Sequence, residues 1–129
     1  VSDLLGLIGQ PGDIDRARPD APEARLVGGP LREHPERARA ASPVAWASAG
    51  DPPVLTVHGT ADRVFPSDQA VRIDAALRAA GVPSDLVRVE GAGHGDFGTA
   101  AGDRVRAFLD RHLRGRPTIV SKAPITDWR

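Results

Sequence analysis

Val54-Leu55-Thr56-Val57-His58-Gly59-Thr60-Ala61-Asp62-Arg63-Val64-Phe65-Pro66 is the stretch on which the reading of this chain turns. Val54 to His58 form a run of β-branched and apolar residues without clean alternation, the pattern of a strand covered on both faces. Gly59 to Asp62 read as the loop leaving that strand. Pro66-Ser67-Asp68 then opens a helix, with proline suited to the first turn and a carboxylate at the positive end of the dipole. Ala70, Ile73, Leu77 and Ala80 fall on one helical stripe, and Gly81 stops it. The same order repeats further on. Leu86-Val87-Arg88-Val89 reads as a short strand, and Gly91-Ala92-Gly93 turns the chain out of it towards His94. Val105, Phe108, Leu109, His112 and Leu113 trace the apolar face of a final helix that Gly115 and Pro117 end. Two strand-loop-helix units predict an α/β fold, its parallel strands joined by a right-handed crossover and flanked by helices. Two parallel strands cannot cover their own faces and edges, so the sheet is expected to be incomplete.

Outward from this centre the chain is less regular. Residues 9 to 35 scatter Gly9, Pro11, Gly12, Pro19, Pro22, Gly28, Gly29 and Pro30 among charges, which predicts a long loop carrying short helices. Ala21 to Gly28 and His34 to Ala41 each start at a proline, and Ser42-Pro43 ends the second because the residue before proline leaves the α region. Ser67 suits a helix start and Ser42 a turn. The segment after Gly115 reads as a loosely held tail, in which Ile119, Val120, Ile125 and Trp128 are able to dock as a short edge element.

Composition narrows the function classes. The chain has 129 residues with 40% hydrophobic and 26% charged, the balance of a globular chain rather than a disordered or membrane-embedded one. Its apolar runs are too short to cross a bilayer, and the N-terminal Val1 to Gln10 lacks the basic region of a secretory signal. The 17 basic and 17 acidic residues cancel and are interspersed, so no one-signed face invites nucleic acid. All of those basic residues except Lys122 are arginine. Without cysteine there is neither disulfide nor thiolate metal site, and the four scattered histidines lack metal-ligand spacing.

The chemistry gathers on two loops. In open α/β sheets functional groups project from loops at the C-terminal ends of strands, and both Asp62 and His94 are so placed. An aspartate there accepts a hydrogen bond from one imidazole nitrogen and stabilises the imidazolium, leaving the other nitrogen to take a proton from a hydroxyl nucleophile. Glycines at 91, 93 and 95 let the backbone carry that imidazole over the strand ends.

Leu26-Val27-Gly28-Gly29-Pro30, Ala41-Ser42-Pro43, Pro52 to Asp62 and Gly91-Ala92-Gly93-His94-Gly95 together resemble the C-terminal part of an α/β hydrolase of the esterase and lipase superfamily. The resemblance runs from about Ser2 to Leu113. It is strongest to bacterial esterases related to feruloyl and acetylxylan esterases, with prolyl-oligopeptidase-like peptidases as neighbours. It implies that Asp62 is the acid and His94 the base of a catalytic triad. In that superfamily the order is Ser, then Asp or Glu, then His, and no Gly-x-Ser-x-Gly occurs in these residues. The expectation is therefore a serine hydrolase fragment, cleaving a small-molecule carboxylic ester in the intact enzyme. It would lack the nucleophile and oxyanion hole and need no cofactor. Loss of a nucleophile costs on the order of 10⁶ in rate, so negligible activity is expected of these residues alone. A partial domain is expected over 1–114, with 9–50 as a lid-like loop and 51–114 as the acid and histidine units. Residues 115–129 would form the tail.

Competing roles bear on the remaining candidates. Asp96 is a weaker acid, too close in sequence to His94 to sit on an independent loop. His58 reads as a satisfied structural histidine, His34 and His112 as structural or exposed, and Trp46 as a packing residue. The serines at 2, 42, 48, 67, 84 and 121 all lack the tight glycine elbow. Two other readings stand beside the esterase. One is a fragment of a prolyl-oligopeptidase-type serine peptidase. The other is a non-catalytic remnant or interaction module that self-associates through its open sheet edge.

Overall fold

The computed structural model describes residues 1–95 and 97–128. Two six-residue helices come first, α1 (Pro22–Val27) and α2 (Pro35–Ala40), each begun by its proline, and a single 3₁₀ turn spans Pro43–Ala45. Strand β1 (Val54–Gly59), helix α3 (Asp68–Ala79), strand β2 (Ser84–Val89) and helix α4 (Gly98–Arg114) follow. Gly28 closes α1 and Gly115 closes α4 in the left-handed conformation, at φ 85° and 63°. The second strand starts two residues before the expected one, and α4 begins at Gly98, well ahead of its apolar stripe.

The strands are parallel, paired residue for residue from Val54 opposite Ser84 to Gly59 opposite Val89. Their C-terminal ends are therefore level, and the loops that leave them emerge side by side. Residue α3 stripe positions Ala70 and Leu77 are buried where the helix crosses back over both strands. The Asp68–Arg72 pair on its exposed side adds i,i+4 support of a few tenths of a kcal/mol, and the half-buried Asp74 pairs with Arg78 in the same spacing.

Two apolar clusters hold the chain. Val87, Val89, Ala92, Ala101 and Ile125 form one beneath the histidine loop, flanked by Leu55, Val57, Phe97 and Trp128. Leu4, Val27, Leu31 and Ala38 form another inside the first 41 residues, so the long irregular segment has a core of its own. Gln69 joins the two halves. Buried at the start of α3, its Oε1 accepts from the backbone N–H of Ser2 and of Asp3 at 3.0 and 2.8 Å, and its Nε2 donates to Asp3 O.

Three expectations need correction. β1 is only half-buried from Val54 to His58, because among the described residues it pairs with β2 on one edge alone. Its apolar pattern reports the cover the strand suits, and this chain does not supply all of it. The apolar stripe of α4 is likewise open: Val105, Leu109 and Leu113 are exposed, and the helix buries Ala101 and Asp110 instead. Trp46 is not a packing residue, since its indole lies exposed, held by an Nε1–H bond to Ala40 O at 2.8 Å. The segment after α4 takes the docked arrangement over much of its length. Ile125 bridges Val89 in parallel, Val120 is buried, and Trp128 Nε1–H donates to Glu90 O at 2.8 Å, while Ile119 stays exposed.

Candidate active site

Gly59 decides how closely the two strand-end loops approach. A Cβ at this position would collide with the carbonyl oxygens of Ala92 and Gly93, which are backbone atoms and cannot swing aside. With glycine there, the loops join through main-chain bonds. Thr60 N–H donates to Val89 O at 3.0 Å and Ala61 N–H to Ala92 O at 2.9 Å. Gly91 N–H donates to Thr60 Oγ1 at 2.9 Å. Gly91 itself turns the second loop at φ 70°.

The structure brings Asp62 and His94 together across this seam, with His94 Nδ1 2.9 Å from Asp62 Oδ2. The other carboxylate oxygen is committed to the loop: the backbone N–H groups of Val64 and Phe65 both donate to Oδ1 at 2.8 Å. The Asp62 side chain is 2% exposed and that of His94 53%, so the carboxylate is enclosed and the imidazole faces outward. Burial pushes the Asp62 carboxyl up. The His94 imidazole and the N–H groups of Phe65 and Val64 more than offset this, and its pKa lies below the ordinary 3.8. An ionised carboxylate only accepts, so His94 Nδ1 carries the proton and Nε2 is left as the open basic nitrogen.

His58 and Phe65 complete the arrangement. His58 Nε2–H donates to Phe65 O at 2.9 Å and lies 3.3 Å from Asp62 Oδ2, so it tethers the residue whose own N–H holds the acid. The Phe65 ring meets the His94 imidazole edge-on, centroids 5.5 Å apart at 63°. Phe65 thus steadies both partners, one through its backbone and one through its ring. Thr56, His58, Phe65, Ile73 and His94 line an open groove of about 460 Å³ beside β1 and α3.

The other candidates lie away from this chemistry. Asp96 is outside the described residues. Ser42 is buried, donating to Ala38 O at 2.7 Å and accepting from Leu4 N–H, and Ser84 Oγ donates to Asp74 at 2.7 Å. Ser2 shares the groove with His94, yet its hydroxyl is buried and donates to Gln69 O at 2.5 Å. His34 stands at the residue before α2 without a side-chain bond to its first turn, and His112 stacks at a tilt on Phe108, 4.6 Å between centroids. Among the described residues no group of His, Asp or Glu could hold a metal ion, and no helix is long and apolar enough to cross a membrane.

Parallel strands with flanking helices, and an acid and a histidine meeting at their C-terminal ends, define the class: this is part of an α/β-hydrolase fold. The BD-FAE family profile matches residues 1–77, and the chain belongs to that family. Esterase LipC of Mycobacterium tuberculosis is 33% identical over 102 residues, 74% of this chain and 25% of the esterase. The chain thus spans about a quarter of the length of the curated relative it matches. Among solved structures, a truncated carbohydrate esterase from gut microbiota is 37% identical with a TM-score of 0.55, over 57% of this chain and 26% of that one. A puromycin hydrolase is 28% identical with a TM-score of 0.66, over 97% of this chain and 18% of that one.

Proposed function

We propose that Asp62 and His94 are the acid and base of a serine hydrolase that cleaves carboxylic esters through an acyl-enzyme. The observation that carries this is the polarity of the pair: a buried carboxylate, tied down at one oxygen, holds the inner nitrogen of an imidazole whose outer nitrogen is open. In such a site His94 Nε2 takes the proton of the attacking hydroxyl and later delivers it to the leaving alcohol. Asp62 fixes the tautomer and stabilises the imidazolium without itself being protonated. No serine of these residues stands in a Gly-x-Ser-x-Gly turn, so the nucleophile is assigned to residues beyond the 129. The substrate is a small ester reaching the groove beside β1.

A peptidase reading is favoured by one finding, the likeness to a puromycin-hydrolyzing peptidase of Mycobacterium tuberculosis, 27% identical with a TM-score of 0.58 over 96% of this chain and 18% of that one. The same acid and base serve either bond. The test is to label the natural gene product with a fluorophosphonate and assay it on p-nitrophenyl acetate and on an aminoacyl arylamide. Labelling of one serine outside these residues, with activity lost in His94→Ala, supports the hydrolase. Ester turnover above arylamide turnover selects the esterase, and the reverse order the peptidase. A natural product that takes no label and turns over neither substrate would sink both and leave a non-catalytic module.

A further inference from the structure

Arg16 is one arginine among many in the sequence, but the fold buries it. It is 5% exposed and ion-paired to Glu23, also 5% exposed, with Nε 3.3 Å from Oε1. Its guanidinium does more than neutralise that carboxylate. Nη2 donates to the carbonyl of Val64, Nη1 donates to Ile14 O at 3.2 Å, and the group lies over the Phe65 ring, 5.5 Å from its centroid. The N–H groups of Val64 and Phe65 hold Asp62 Oδ1, and Arg16 grips the carbonyl side of the Val64–Phe65 peptide unit whose N–H is one of those two donors.

Neighbouring contacts bring the two segments together. Asp13 N–H donates to Arg63 O at 2.7 Å, and Arg63 Nη2 meets Asp13 Oδ1 at 2.7 Å. Gly12 approaches so closely that a Cβ there would stand 2.8 Å from Arg63 O. Residues 12–16 are thus laid along 62–65. Stability alone does not account for the buried pair. An ion pair in the interior gains little over apolar residues of the same size, and here Glu23 Oε2 has no hydrogen-bond partner among the described residues.

We propose that Arg16 is a positioning residue that couples the 9–50 segment to the acid loop, holding Asp62 where it orients His94. The proposal rests on the acid–base reading of that pair. A carboxylate allowed to drift by about 1 Å costs on the order of 100-fold in rate. Displacement of residues 12–16 would reach the acid loop through this guanidinium as well as through the Asp13–Arg63 contacts.

The experiment compares the natural gene product with its Arg16→Met/Glu23→Met double variant, which removes both buried charges together. The readouts are the thermal midpoint, kcat and KM on p-nitrophenyl acetate, and the His94 ring ¹⁵N shifts, which report its tautomer. The expected result is a retained fold, kcat lower by roughly 10- to 100-fold with KM within about 3-fold, and His94 moved towards the Nε2–H tautomer. Unchanged kcat and tautomer in a folded double variant would overturn the proposal. If the double variant does not fold, Arg16→Lys decides. It keeps the pairing charge without the fork, and an unchanged tautomer there overturns the proposal as well. A wild-type protein without hydrolytic activity would sink the enzymatic reading, while the His94 shifts would still test the coupling.

Discussion

At the residue scale the site depends on one carboxylate with two separate tasks. Oδ1 is spent on the loop that carries it and Oδ2 on His94. Asp62→Asn keeps the shape but offers an N–H where His94 needs an acceptor, which selects the wrong tautomer. On the proposed acid–base reading, kcat of the natural gene product on a chromogenic ester is expected to fall by about 10⁴. Stability follows the same carboxylate. Its folded pKa is lowered from 3.8, so its contribution is fully present above that value and is lost as pH falls through the folded one. The wild type is expected to exceed Asp62→Asn by about 1–3 kcal/mol at neutral pH, with the gap closing in acid. Urea titrations of both proteins at a series of pH values check this; a gap that widens towards acid would mean the carboxylate is protonated in the fold. The placing of Asp62 and His94 on neighbouring strand-end loops was legible in the sequence because each sits on a short contiguous motif. Phe65 and His58 were not given their full parts, since those roles run through a main-chain carbonyl, a main-chain N–H and a ring edge that no residue pattern encodes.

At the element scale the two loops work as a unit because the strands end level and Gly59 leaves room for the second loop. Gly59→Ala would press its methyl group on two backbone carbonyls and part the loops. A loss of about 1–3 kcal/mol is expected, with weakening of the Asp62–His94 bond. Gly93→Ala is the control, since nothing lies within 4 Å of its Cβ position. Equal unfolding midpoints for the two variants would show that the close approach at Gly59 does not hold the loops. The strands and the start of α3 were readable from β-branched runs, proline and glycine. The beginning of α4 was not, because Gly98-Thr99-Ala100-Ala101-Gly102 carries no apolar period, and Ala101 is buried only by the cluster under the histidine loop.

At the scale of the whole molecule, the half-buried β1 and the open stripe of α4 leave apolar surface and a free strand edge among the described residues. We propose that the 129-residue chain in isolation associates with copies of itself through that edge. Sedimentation is expected to show a mass that rises with concentration. A monomer throughout the micromolar range, folded by circular dichroism, would rule this out.

The sequence by itself determined the α/β class, the order of the units, and the placing of Asp62 and His94 on neighbouring loops. These rest on local matters: side-chain periodicity, proline and glycine at element ends, and motifs a few residues long. Only the tertiary structure decided that Asp62 turns one oxygen inward and one to His94, that Arg16 is buried against the acid loop, and that Ile125 returns to pair with Val89. Each of these joins residues distant along the chain through backbone atoms or through burial, and the cost of burying a charge is set by what packs around it, which no single stretch of sequence contains.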